Sequence, residues 1–164
     1  MKKYFQSNSQ RKFSFLISFP SQINIAHSIM TTLHTAGLLI VQNRKLLLAY
    51  SKNKNCFYLP GGKMDGGETP QDALCREILE ELHIHLKPEE LKYYTHITAP
   101  AFGEIEGTTM EQDCFLVEKE VSPVASAEIG ELRYFSLEEY QRELDRAPGA
   151  VIILERMKAD GFIE

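Results

Sequence analysis

The 164-residue chain is poor in cysteine. Cys56, Cys75 and Cys114 are odd in number, and no Cys-x-x-Cys pair occurs. That pattern suggests neither a disulfide framework nor a thiolate zinc site and fits reduced thiols in a cytoplasmic protein. Positive charge is scarce as well. A formal net charge of −5 and a pI near 5.6 leave no basic stripe of the kind a duplex-binding protein carries. Small phosphorylated ligands stay open, because a bound cation can hold them. No apolar run is long enough to cross a bilayer, so no membrane partner is expected. The run at 13–19, FSFLISF, follows Lys2, Lys3, Arg11 and Lys12 and precedes Ala26-His27-Ser28. It imitates a signal peptide, yet it has only seven residues, two of them serine. Repeats, low-complexity tracts and linkers are missing too.

What is present is an ordinary globular balance, 43% apolar and 25% charged, at a length suited to one domain with a real core. Residues 1–29 read as an N-terminal extension and 30–164 as a single domain. Orderly patterning begins just after Met30, which makes that residue a candidate start. Two apolar runs, 36–41 and 45–50, flank Gln42-Asn43-Arg44 and predict a β-hairpin. CFYLP at 56–60 predicts a short strand stopped by Pro60, and 61–67 a loop. A helix is expected from Pro70 to about Leu82. Further strands are expected at 92–99, within 112–120 and at 131–136, the last followed by a Ser136–Glu139 capping box. A last helix at 150–160 closes on Gly161. The order implies an α/β fold with a mixed sheet.

The helix at 70–82 concentrates acid. Thr69 suits the N-cap, Pro70 the first position, and Asp72 the positive helix end. Leu74, Cys75, Ile78, Leu79 and Leu82 form an apolar stripe, with Glu77, Glu80 and Glu81 read on the opposite side and Arg76 placed to pair with Glu80. Like charges at i+3 and i+4, two of them near the negative helix end, cost on the order of 1–3 kcal/mol. A divalent cation removes that cost, and hard oxygen donors suit magnesium or manganese. Gly61, Gly62, Gly66 and Gly67 let the preceding loop bend back, bringing Glu68 beside the helix and backbone close to a phosphate. No Gly-Lys-Ser/Thr opens the helix, so this is not a P-loop, and no calcium-loop pattern occurs.

Gly62, then Glu68, Arg76-Glu77-Ile78, Glu80-Glu81 and Ile84 resemble the Nudix box, Gly-x5-Glu-x7-Arg-Glu-U-x-Glu-Glu-x-Gly-U with U aliphatic. His83 stands at the family's second glycine. Histidine enters the left-handed region more readily than most residues, so the departure touches the helix end and not the acids.

The resemblance implies a Nudix-like α/β/α sandwich and hydrolysis of a nucleoside diphosphate linked to another group. It implies Mg2+ (or Mn2+) held by Glu77, Glu80 and Glu81, with Glu68 in support, and Arg76 orienting the glutamates. Catalysis would rest on Glu77, Glu80 and Arg76, with Gly61, Gly62 and Lys63 near the substrate. A carboxylate would take the proton from water. Glu104, Glu106, Glu111 and Asp113 are available, with Glu106 and Glu111 ranked first because they flank a glycine–threonine bend. His83, His85 and His96 suggest a transition-metal site only weakly. Tyr50, Phe57, Tyr58 and Phe102 are candidates for stacking a base, against a bland role in the core. The leaving group is open among nucleoside triphosphates, ADP-ribose, nucleotide sugars and dinucleoside polyphosphates. A homodimer is compatible with the family, and a nucleotide-sensing domain without turnover is the competing reading.

Overall fold

A computed structural model describes residues 31–164. The extension assigned to 1–29, and Met30, lie outside the described residues. Strand β1 (Thr32–Leu39) is the hinge of the architecture. It runs on to the two-residue β2 (Val41–Gln42), then to β3 (Lys45–Ser51), β4 (Cys56–Tyr58) and β5 (Gly61–Lys63). Helix α1 (Pro70–Leu82) follows, then a 3₁₀ turn at Pro88–Glu90, β6 (Leu91–Pro100) and β7 (Thr109–Val117). β8 (Ile129–Phe135), α2 (Leu137–Tyr140) and α3 (Pro148–Ala159) complete the chain.

One sheet has the order β5-β1-β7-β6, with β1 and β7 parallel and the outer pairs antiparallel. In the second, β3 pairs antiparallel with β2 and β4 along one side and with β8 along the other. The expected hairpin is therefore real but smaller and differently placed. Its loop is Asn43-Arg44 alone, both at positive φ (49° and 59°), the geometry that matches the twist of a two-residue hairpin. The run at 36–41 is not one strand, because the chain leaves the first sheet after Leu39 and enters the second at Val41. Ile40 bridges the change, its carbonyl accepting from the Leu47 N–H at 2.9 Å.

Alternation within strands sends side chains to two helical layers. Ala36, Leu38, Leu47 and Phe115 pack with Leu74, Ile78 and Leu82 of α1. Leu46, Leu48, Cys114 and Phe135 pack with Ile153, Leu154 and Met157 of α3. Each such buried aliphatic side chain contributes roughly 1.5–3 kcal/mol, so the two layers hold the sheets from both sides. The α/β class and the mixed sheet hold.

The segment expected as a loop at 61–63 is a strand. It has no apolar residue to announce it, and pairing with β1 at Thr35–Gly37 defines it. Glycine is required at Gly61 (φ 126°), where a Cβ would lie 2.2 Å from the Ala36 carbonyl oxygen, and at Gly62 a Cβ would displace the Glu77 carboxyl, 2.4 Å away at Cδ. Both ends of α1 are built as its sequence suggests. Thr69 Oγ1 accepts from the Asp72 N–H at 3.2 Å. His83 closes the helix in the left-handed region, φ 53° and ψ 31°, its N–H reaching the Leu79 carbonyl. Two further amides finish the end: Val124 and Ser126 donate to the Leu82 and Glu81 carbonyls at 2.9 and 2.8 Å.

Candidate active site

Arg76 is the centre of a polar network under the glycine-rich segment. Its Nε and Nη2 donate to the two oxygens of Glu68 at 2.9 and 2.8 Å, and its Nη1 to Glu77 at 2.7 Å. Nη2 also reaches the Lys63 carbonyl at 3.1 Å. The Asp65 N–H adds a bond to Glu68 at 2.9 Å. With the guanidinium and then this amide beside it, the Glu68 carboxyl is held down to about 2. The expected Arg76–Glu80 pair does not form. Arg76 instead fixes Glu68, Glu77 and β5 relative to one another, and bidentate pairing explains why an arginine does this.

Glu81 corrects the reading of the helix. The sequence pattern puts it on the polar side, yet it is 2% exposed. On a helix it falls about 20° from Leu74, seven residues earlier, so the buried face runs 74–78–81–82. Glu81 Oε2 accepts from the Gly61 N–H at 2.9 Å and Oε1 from the Tyr58 hydroxyl at 3.1 Å. Burial pushes its pKa up to about 8, against these two bonds, and the neighbouring charges of Glu128 and Glu77 raise it further. The Glu80 side chain, by contrast, is exposed and makes no hydrogen bond or ion pair among the described residues.

A cavity of about 330 Å³ opens beside these groups. Glu77, Glu81, Gly61, Gly62 and Lys63 line it, together with Glu104 and Glu128. Its other walls are largely apolar, among them Leu33, Phe102 and Met110, with the amide of Gln112 set into them. Gln112 is 7% exposed, and the only hydrogen bond its side-chain amide makes among the described residues is a long one from Cys114 Sγ, 4.0 Å from Oε1.

The two acids ranked first as proton acceptors lie elsewhere. Glu111 is within β7, not in the preceding loop, and alternation turns it away while Met110 and Gln112 on either side face the cavity. There it meets His96 Nε2 at 2.5 Å and Thr98 Oγ1 at 3.0 Å. Asp113 meets the other ring nitrogen of His96 at 2.9 Å, and the two carboxylates, Asp113 first, raise the imidazole. Glu106 is exposed and lines no part of the cavity. The three-histidine site does not assemble, since His83 ends α1 while His96 is on β6. Of the aromatic candidates, Tyr58 and Phe102 line the cavity, and Tyr50 and Phe57 pack edge-on in the core. Glu128 and Gln112 were not singled out from sequence. Glu128 is one acid in an irregular segment with no spacing signal, and it reaches the site only through the folding of 118–128 over the end of α1.

No three carboxylate, imidazole or thiolate groups among the described residues converge as a ready cation cage. The donors nevertheless have the right chemistry. Glu77, Glu81 and Glu128 all present carboxyl oxygens to one cavity, and a buried carboxyl pushed up to about 8 is one that a divalent cation would relieve.

The sequence and fold have relatives. A 58-residue stretch is 41% identical to a human 8-oxo-dGDP phosphatase, and a 56-residue stretch is 43% identical to an ADP-ribose pyrophosphatase of Methanocaldococcus jannaschii. These cover 34% and 32% of this chain and 18% and 33% of the relatives, so the likeness spans no more than a third of either relative. The crystal structure of a MutT NUDIX hydrolase from Burkholderia pseudomallei superposes with a TM-score of 0.63 at 25% identity, over 76% of this chain and 97% of that one. The family model for the NUDIX domain matches residues 30–156. With the box, the fold and the model in agreement over most of its length, the chain belongs to the NUDIX domain family.

Proposed function

We propose that this chain hydrolyses the pyrophosphate bond of a nucleoside diphosphate linked to a second group. One observation carries the reading: Glu77, buried Glu81 and Glu128 share a cavity with Lys54 and Lys63, and much of its remaining wall is apolar, with the buried amide of Gln112 set into it. The acids suit the charged end of such a substrate through a cation, and the apolar wall suits a base.

Glu77 and Glu81 would hold Mg2+ or Mn2+, with Glu80 reaching in from the exposed side and Glu68 in support, while Glu128 would stay free of the ion. When bound, such an ion offsets phosphate charge and acidifies water. The chain's own residues do the rest. Arg76 keeps the Glu77 carboxylate turned toward β5. Gly62 gives up its side chain so that this carboxylate can sit there. The Gly61 N–H and the Tyr58 hydroxyl orient Glu81; Tyr58 stays protonated, because burial and the charges of Glu81 and Glu128 raise its pKa. Glu128 is the proton acceptor of choice, since it lines the cavity and no lysine or arginine neutralises it among the described residues. The amide of Gln112 would read the edge of the base.

The test is a substrate panel with Mg2+, resolved by chromatography: nucleoside triphosphates, 8-oxo-dGDP, ADP-ribose, nucleotide sugars and dinucleoside polyphosphates. Release of a nucleoside monophosphate is expected from at least one class. It should vanish with chelator and in Glu77→Gln, and fall roughly 10²–10⁴-fold in Glu128→Gln. Ligands that raise the melting temperature without any turnover would instead establish a sensing domain.

A further inference from the structure

Glu104 stands at the cavity with its carboxylate clasped by two lysines from different parts of the chain. Lys54, in the turn between β3 and β4, donates to Oε1 at 3.1 Å. Lys63, on β5, lies 3.2 Å from Oε1 and 3.4 Å from Oε2. Neither ammonium has another partner among the described residues. All three side chains line the cavity that also holds Glu77 and Glu81.

The backbone of Lys63 is fixed, because β5 is paired to β1 and Arg76 holds its carbonyl. The Lys54 stem lies against Gly103, in the same turn as Glu104, where a Cβ would come within 3.2 Å of its Cγ. Glu104 belongs to the 101–108 turn joining β6 and β7, with Gly103 and Gly107 both at positive φ. Three backbone bonds close that turn on itself, Glu104 to Ala101, Ala101 to Thr108 and Thr108 to Ile105. All three charged groups are the tips of flexible side chains on ordered backbone, so the clasp can open by side-chain rotation alone. Two ammoniums on one carboxylate leave an excess positive charge. An anion with two negative oxygens matches the pair better than the carboxylate does.

We infer that the Glu104 carboxylate occupies the seat of a phosphoryl group, and that Lys54 and Lys63 exchange it for phosphoryl oxygens when the ligand binds. The inference rests on the pyrophosphate reading of the neighbouring carboxylates, and it assigns the two lysines to the phosphoryl group beyond the bond that is cut. Glu104 then acts as an internal competitor that keeps both ammoniums in place in the empty protein. It exchanges partners and makes no bond to the reacting atoms.

Calorimetric titration with inorganic pyrophosphate in chelator tests this without turnover. Glu104→Gln should bind roughly 2- to 30-fold tighter than the native chain, the range expected when two exposed ion pairs no longer compete. Adding Lys54→Ala or Lys63→Ala should abolish that gain. Unchanged or weaker binding by Glu104→Gln overturns the inference, as does a gain that survives loss of either lysine; melting curves confirm that each variant is folded. In the turnover assay Glu104→Gln should lower KM with kcat within a few-fold of native. A kcat loss of about 10²-fold or more would make Glu104 the proton acceptor and overturn the inference. If no substrate turns over, the hydrolase reading falls and the titrations still decide this one.

Discussion

Glu81 is buried, hydrogen-bonded as an acceptor and yet surrounded by negative charge, so its titration works against its neighbours. Its folded pKa is raised above the ordinary carboxylate range, to about 8. The stability that protonated Glu81 supplies is full below about pH 4.5 and is lost as pH rises through about 8. In chelator, the denaturation midpoint should therefore fall from pH 5 to pH 9, and Glu81→Gln should flatten that slope. A native chain with no downward slope would mean that the carboxyl ionises normally. Gly62 gives a sharper test at the same scale. Gly62→Ala places a methyl where the Glu77 carboxyl now lies, so turnover should fall by at least about tenfold, as when metal ligands lose their orientation. Its melting temperature should change far less than that of Gly61→Ala, which meets backbone rather than a mobile carboxylate.

Helix α1 shows what local sequence can and cannot specify. Its cap, first turn, length and left-handed end were all legible, because each depends on neighbours within four residues. Histidine at the left-handed position is tolerated and not optimal. His83→Gly should raise stability by about 1 kcal/mol, or about 2–4 °C in melting temperature for a domain of this size. Which face of α1 is buried was legible only in part: Leu74, Ile78 and Leu82 declared it, and Glu81 was misassigned because charge was taken as exposure. Strand β5 went unread for the opposite reason. Its Gly-Gly-Lys carries no alternation, and its identity as a strand is a property of β1. Glu111 was misplaced by a boundary error, since a strand that begins at Thr109 instead of Gln112 brings that acid under strict alternation. Glu128 had no local signal at all, since what places it is contact with the far end of a helix 46 residues away in sequence.

At the scale of the molecule, the two sheets were legible as strands but not as separate sheets. The change of sheet at Ile40 occurs inside one apolar run, where hydrophobicity does not vary. The cavity at the edge of this arrangement gathers acids from α1 and from the segment before β8, so a cation bound there should offset repulsion between distant parts of the chain. Saturating Mg2+ at about a hundred times its dissociation constant should add about 2.7 kcal/mol, or roughly 5–10 °C. The shift should disappear in Glu77→Gln. The strap formed by Val124 and Ser126 across the end of α1 has a kinetic corollary. Those two amides lie in an otherwise irregular segment, where hydrogen exchange is ordinarily fast. Bonded to the last helical carbonyls, they should exchange as slowly as the final turn of α1 and at the same rate as each other. Fraying of that turn would then release Glu128 in the same opening event, making the lifetime of one short stretch of helix the clock for the whole acidic cluster.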